Sequence, residues 1–326
     1  MTKKKYLVTG GTGFIGSSLV VSLIKQGHNV RVFDNNTRGD MRRLEGFVDD
    51  IEFIEGDIRD ESIVRKACVG IDSVCHLAYI NGTQFFYQIP EVILEVAVKG
   101  MMNVIEGCIS NDVPELILAS SSEVYQSASI VPTPEEISLI VPDVGNARYS
   151  YGGGKIISEL LTLNYGRKHF ERTMIFRPHN VYGPDMGWEH VIPQFILRMK
   201  SIIDKEMGNL TFPIQGSGNE TRAFIFIDDF TDALMKIVEN GKNLEVYNIG
   251  TNNEISIENL AHKVSHYFNV DIKIEPGDLA EGGTLRRCPD ISKIKNLGFM
   301  PIKSLQEGVN ATADWYLSNS HIRQKV

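Results

Sequence analysis

From Thr9 to Gly16 the chain reads Thr-Gly-Gly-Thr-Gly-Phe-Ile-Gly, and few folds have a use for glycines so placed. The run follows the short apolar stretch Tyr6-Leu7-Val8-Thr9. It precedes Phe14 to Gln26, where Ile15, Leu19 and Leu23 recur at helical spacing. Gly11, Gly13 and Gly16 form G-x-G-x-x-G, and Gly10, Gly13 and Gly16 form G-x-x-G-x-x-G. At a strand-to-helix turn such glycines let the backbone reverse sharply and approach a pyrophosphate, whose charge the helix N-terminus stabilises. The flanking strand and helix are the context that separates a dinucleotide fingerprint from a chance pattern.

The rest of the first half repeats that strand-helix alternation. Gly27 stops the first helix, and Val30 to Phe33 forms a strand ending at Asp34. Ile51 to Ile54, Ile71 to Ala78, Glu115 to Ala119 and Arg172 to Phe176 read as further strands. Helices are expected over about Glu91 to Ser110 and from Tyr151 onward. Near-continuous apolar strands between helices predict an α/β fold, a Rossmann doubly wound parallel sheet. After Pro178 the texture changes, with Pro184, Pro193, Pro213, Gly208, Gly216 and Gly218 breaking regular structure. Phe224 to Ile227 followed by Asp228 to Val238 predicts one more βα unit returning to the sheet. Ser256 and Asp290 can each cap a later helix, the second ending at Gly298. The expected division is a dinucleotide-binding domain over 1–177 with a return segment at about 223–250. A smaller, interleaved C-terminal substrate domain then comprises 178–222 and 251–326.

Composition narrows the class. With 326 residues, 42% hydrophobic and 23% charged, the chain is long enough to bury a sizeable core. The formal net charge of −8 gives no reason to expect nucleic acid or an anionic membrane as partner. Four cysteines without C-x-x-C spacing fit a reducing compartment. No apolar run approaches the roughly 18 residues of a membrane span, and Tyr6 to Thr9 is too short for a signal peptide, so the expectation is cytoplasmic.

Two acids and a tyrosine–lysine pair suggest chemistry. Asp34 ends the second strand, where a carboxylate accepts from both adenosine ribose hydroxyls and repels a 2′-phosphate, favouring NAD over NADP. Arg38 could partly offset that repulsion. Asp57, in Gly-Asp-Ile-Arg after the third strand, is placed to meet the adenine amino group. Among the tyrosines only Tyr151 has a lysine, Lys155, four residues on, which stacks both side chains on one helical face. A phenol titrates near 10 in water and is a poor base at neutral pH. A nearby ammonium, helped by a positive nicotinamide ring, would favour the phenolate, and Lys155 can also hold the nicotinamide ribose.

Together these motifs resemble the extended short-chain dehydrogenases/reductases, specifically their NAD-dependent nucleotide-sugar epimerases, dehydratases and decarboxylases. The likeness runs through TGGTGFIGS (Thr9–Ser17), GDIRD (Gly56–Asp60), HLAY (His76–Tyr79), SSSEVY (Ser120–Tyr125), YGGGK (Tyr151–Lys155) and RPHNVYGP (Arg177–Pro184). It implies an NAD site formed by Gly10, Gly13, Phe14, Ile15, Gly16, Asp34, Asp57, Ile58, Leu77, Ala78, Tyr151, Lys155 and Pro178. Ser121 would bond the sugar hydroxyl being oxidised, and Glu123 would lie near C5. Ser122 would touch the sugar, Asn180 the substrate diphosphate, and Arg222 and Arg287 would clamp the diphosphate or nucleotide. The resemblance also implies a homodimer through the helices near 91–110 and 151–169, with Val92, Leu94, Val96, Val98, Leu160 and Leu163 as apolar surplus.

Two positions depart from the family pattern. An asparagine on the fourth helix is replaced at or beside Ala97, so no cofactor contact is assigned there. The dehydratases' Thr-Asp-Glu appears as Ser121-Ser122-Glu123, which lacks the aspartic acid that would protonate a leaving C6 hydroxyl. C4 redox chemistry therefore ranks first, as a 4-epimerase or 4-dehydrogenase supplying surface-polysaccharide precursors. Decarboxylation of a UDP-glucuronate-type hexuronate ranks second, since Thr-Ser-Glu and Arg-x-Pro-Asp-Ile (Arg287–Ile291) are that branch's patterns. Dehydration at C4 and C6 ranks third. A silent NAD-binding scaffold or sensor is the non-enzyme alternative, and the presence of both Tyr151 and Lys155 argues against it. His262 and His266 share a helical face without a third ligand, so no metal site is expected. His76 reads as structural, while His179 could be structural or line the nicotinamide pocket.

Overall fold

The computed structural model describes residues 3–205, 210–278 and 284–322, so Gly208 of the glycine-rich stretch lies outside the described residues. The first half contains β1 (Lys5–Thr9), α1 (Phe14–Lys25), β2 (Asn29–Asp34), β3 (Ile51–Glu55), α2 (Glu61–Ala67) and β4 (Ser73–His76). Then come α3 (Thr83–Gln88), α4 (Pro90–Glu95), a π-helical turn over Val96–Gly100, and α5 (Met101–Ser110). β5 (Glu115–Ala119), α6 (Ser150–His169) and β6 (Arg172–Pro178) complete it. The second half contains β7 (Val181–Tyr182), α7 (Val191–Ile203), β8 (Leu210–Pro213), β9 (Thr221–Ala223), β10 (Ile225–Phe226) and α8 (Ile227–Asn240). It continues with β11 (Glu245–Ile249), β12 (Glu254–Ser256), α9 (Ile257–Tyr267), β13 (Ile272–Glu275), β14 (Arg286–Arg287), α10 (Ser292–Lys295) and α11 (Leu305–Ser318).

Seven parallel strands form the main sheet in the order β11-β6-β5-β4-β1-β2-β3. Helices cover both faces, so β5 is buried along its whole length and β1 from Tyr6 onward. This is the Rossmann-type α/β architecture expected from the alternation. Strand order reverses between β1 and β4, and a crevice opens there beyond the strands' carboxyl ends.

The long fourth helix differs from a plain α-helix. Within its π-turn, the Ala97 carbonyl accepts from Ser158 Oγ of α6 at 3.1 Å. A Cβ on Gly100 would stand 2.5 Å from Ile58 Cδ1, so glycine there lets the turn press onto the loop after β3.

Three expectations in the second half need correction. Ile225–Phe226 does not return to the main sheet. It pairs with Val181–Tyr182 in a separate two-stranded sheet, and the strand that rejoins is β11, beside β6. The helix expected from Asp290 to Gly298 covers only Ser292–Lys295, although Asp290 Oδ1 does accept from Ser292 N at 2.8 Å. Helix α7 was unforeseen because Pro193 reads as a breaker, but within a first turn proline removes no helical hydrogen bond. Ser256 caps α9 as expected. The remaining strands make two small sheets, β12-β9-β14 and β8-β13.

Candidate active site

The glycine run wraps the crevice at the end of β1. Gly10 has φ +71, and a Cβ there would stand 2.7 Å from Ala78 N, so only glycine allows β1 and β4 to close on each other. Gly13 N donates to Gly10 O at 3.1 Å, and a Cβ on Gly16 would overlap that same oxygen. The turn therefore presents bare backbone to the crevice at the N-terminus of α1, a cradle that fits a dinucleotide pyrophosphate. At the end of β2, Asp34 is buried and accepts from Thr12 N (3.0 Å) and Asn36 N (2.9 Å). Asp57 accepts from Arg59 and Asn35; the Arg59 hydrogen bond chiefly holds its carboxyl down at about 2, leaving it an acceptor.

A cavity of about 1260 Å³ runs from this cradle towards α6. Every residue expected at NAD lines it: Gly10, Gly13, Phe14, Ile15, Gly16, Asp34, Asp57, Ile58, Leu77, Ala78, Tyr151, Lys155 and Pro178. Ser121, Ser122, Glu123, Asn180 and Arg287 line its far end. Arg222 does not. Its guanidinium is held by the carbonyls of Thr221, Thr284 and Leu285, beside the cavity wall.

At the far end Ser121 caps the short turn Ser122–Tyr125 by accepting from Glu123 N at 3.1 Å. Tyr151 stacks on Phe86 at 4.7 Å between centroids and meets Tyr79 edge-on at 5.2 Å. Burial pushes its phenol up to about 12, against a lowering hydrogen bond from Ser121. The charge that lowers it is that of Arg287, opposed by Glu123, and not the Lys155 ammonium that the spacing suggested. Lys155 Nζ donates to Ala119 O at 2.7 Å and lies 6.0 Å from the Tyr151 ring centroid. Burial also brings the Lys155 ammonium down to about 7.

Glu123 supplies the strongest charge contrast. Burial alone would raise its carboxyl, yet Arg287, with help from Arg148 and Arg222, holds it below the ordinary carboxylate range. Arg287 Nη1 bonds Glu123 Oε1 at 2.6 Å, and its charge also reaches the Tyr151 phenol. Asn180, at φ +42, turns its amide nitrogen to Ala223 O at 2.9 Å. His179 is fully buried and lies off the cavity, with Nε2 3.0 Å from Asn248 Oδ1, which decides for the structural role.

The sequence reading missed Tyr79 and Arg148. Tyr79 is a bulky aromatic directly after a buried strand end, and Arg148 stands one helical turn before Tyr151; neither signal is specific by itself.

Loops from both halves close over the cavity. Arg42 and Arg43 both bond Asp185, and Arg43 also reaches Thr12 O at 3.0 Å. Arg38, which also lines the cavity, lies 3.7 Å from Glu189 and over the Phe85 ring.

A doubly wound sheet, a glycine cradle at its switch point and a buried Tyr–Lys pair define the class, a Rossmann-type protein built around a dinucleotide cleft. The chain belongs to the NAD dependent epimerase/dehydratase family, whose model matches residues 6–250. It is 30% identical to the UDP-N-acetyl-alpha-D-glucosaminuronate decarboxylase of Bacillus cytotoxicus, covering 96% of this chain and 98% of that protein. It is 31% identical to a putative UDP-glucose 4-epimerase of Methanocaldococcus jannaschii, covering 96% and 99%. Among solved structures, the dTDP-glucose 4,6-dehydratase DesIV of Streptomyces venezuelae, with NAD bound, superposes with a TM-score of 0.85. That pair is 26% identical over 97% of this chain and 98% of the other. The protein is thus an enzyme of a nucleotide-sugar family that uses NAD, and the cradle and Asp34 fit that cofactor.

Proposed function

We propose that the protein acts on a nucleotide-linked hexuronate, oxidising C4, releasing C6 as carbon dioxide and reducing C4 again. The observation that carries this reading is Arg287 at the reaction centre, bonded to Glu123 and within electrostatic reach of Tyr151. The charges of Arg148 and Arg222 act on the same carboxylate, and positive charge gathered around Arg287 suits an anionic sugar. This placement moves decarboxylation ahead of the simple C4 redox chemistry that the motifs alone put first.

In this reading Ser121 holds the C4 hydroxyl and Tyr151 takes its proton, while Lys155 steadies the phenolate and the nicotinamide ribose. NAD, when bound, accepts the C4 hydride and later returns it. A C4 ketone makes the C6 carboxylate a β-keto acid. The C5–C6 bond breaks, its electron pair passes into the C4 enolate, and C5 then takes a proton from solvent. Arg287 orients the carboxylate, and Glu123 keeps Arg287 in place. Tyr151 gives its proton back to the C4 oxygen on reduction. The substrate would lie across 178–222 and 251–326, with the dinucleotide on 1–177 and 223–250.

A second reading, 4-epimerisation, draws on the likeness to the putative UDP-glucose 4-epimerase and needs no anion at C6. Dehydration stays third, because Ser122 is too weak an acid for the C6 hydroxyl. Mass spectrometry decides among them after incubation with NAD and UDP-, GDP- and dTDP-linked hexuronates and hexoses. The expected product has lost carbon dioxide. An isomer of unchanged mass from a neutral sugar, with hexuronates untouched, would replace this reading with epimerisation. Tyr151→Phe is expected to fold and bind NAD but to lose about 10²-fold or more in turnover.

A further inference from the structure

The mechanism leaves Tyr79, an aromatic lining the cavity, without a task. Tyr79 follows β4, and its ring lies beneath the Lys155 ammonium, with Nζ 3.7 Å from the centroid. The same ring meets Tyr151 edge-on, so Tyr79 touches both members of the pair. Its hydroxyl oxygen is buried without a hydrogen-bond partner, so hydrogen bonding does not explain the residue's place. Two small residues make room for it. A Cβ on Gly154 would overlap Tyr79 Oη and stand 2.8 Å from Ala97 Cβ.

We propose that Tyr79 is a positioning residue whose aromatic face seats the Lys155 ammonium, in a slot kept open by Gly154 and Ala97. The inference rests on reading Tyr151 and Lys155 as the catalytic pair. Its physical basis is the attraction of a cation to the negative face of an aromatic ring, which grows when water is excluded. Besides the ring, the charge that favours the Lys155 ammonium is that of Glu159. The ammonium donates a hydrogen bond to the neutral Ala119 carbonyl. Glu159, one turn further along α6, shares its charge with Arg177 of β6 through two hydrogen bonds and also accepts from Ser120. His76, at the end of β4, is engaged with Thr9 and held neutral, its pKa brought down to about 3 by burial and by Lys155 itself. Before cofactor and substrate bind, burial favours the neutral Tyr151 phenol, so it offers Lys155 no counter-charge. The ring of Tyr79, in contact with the ammonium, then adds to the charge of a Glu159 already shared with Arg177 in favouring ammonium over amine at this spot.

The test is a pH titration of the side-chain NMR signal of Lys155 in the full chain with isotope-labelled lysine, assigned by its loss in Lys155→Met. Neither substrate nor cofactor is added. The wild-type midpoint is expected near 7, where burial brings it. Tyr79→Leu removes the face and should lower the midpoint by about one pH unit, whereas Tyr79→Phe keeps the face and should restore it. If the leucine variant does not fold, Tyr79→Met fills the same space and is read the same way. A midpoint in the leucine or methionine variant equal to that of wild type overturns the inference. So does a phenylalanine variant that falls as far as leucine. Failure here leaves the product assay untouched, and failure of the proposed reaction leaves this titration untouched, so the two are told apart.

Discussion

Asp34 is oriented by its own backbone neighbours, since Thr12 N and Asn36 N fix its two oxygens before any ligand arrives. A preset carboxylate suits a ribose with free hydroxyls and opposes one that carries a phosphate. Asp34→Ala is therefore expected to relax the preference for NAD over NADP by ~1–3 kcal/mol, measured as the ratio of the two dissociation constants. Glu123 gives a pH-dependent counterpart. Its carboxyl is depressed in the folded state, so it stabilises the fold above the usual carboxylate range and loses that contribution as the pH falls. Removing the cation in Arg287→Met lets burial raise the carboxyl. The variant should be least stable relative to wild type at neutral pH and recover part of the difference towards pH 4, checked by urea denaturation across that range. Sequence pattern located both acids, because strand ends and motif neighbours mark them. Spacing did not reveal that backbone carbonyls would claim the Arg222 guanidinium.

Helix α6 and strand β6 are locked by a buried ion pair, in which Arg177 Nη2 bonds Glu159 Oε2 at 2.6 Å and Nε bonds Oε1 at 2.8 Å. Arg177 continues to the Tyr125 hydroxyl, which reaches Asn248 of β11, so the pair joins three elements behind the Ser122–Tyr125 turn. Both side chains are almost fully buried, and breaking such a pair from one side leaves an uncompensated charge. Glu159→Gln should cost about 3–5 kcal/mol in chemical denaturation. At this scale β1, α1 and β5 were legible because strand hydrophobicity and the glycine punctuation agree. The π-turn was not, since an extra residue per turn leaves little mark on an apolar pattern. Helix α11 was also overlooked, although Ser304 and Glu307 form a capping box whose signature stands in the sequence.

For the whole molecule, the apolar surplus on the fourth and sixth helices divides in two. Val96 turns into the core, while Leu94, Val98 and Leu160 stay exposed, joined by Ile157. An exposed apolar face of this kind favours self-association, and a homodimer is expected by light scattering at micromolar concentration. Leu160→Glu should yield monomers. No helix among the described residues is long and apolar enough to cross a membrane. The crevice could be placed from sequence alone, at the end of β1. How the second half folds back over it could not, because that depends on contacts between residues far apart in the chain, such as Arg42 and Asp185. Those contacts have a kinetic consequence. Arg42 and Arg38 bridge to Asp185 and Glu189 in partly exposed ion pairs beside the cavity, where they would hold the two halves closed over a bound dinucleotide. Mobile salt weakens exposed pairs far more than it weakens a buried hydrogen bond. The escape rate of NAD, followed by fluorescence after dilution, should therefore climb with ionic strength, and dialysis in concentrated brine should strip cofactor that survives purification in dilute buffer.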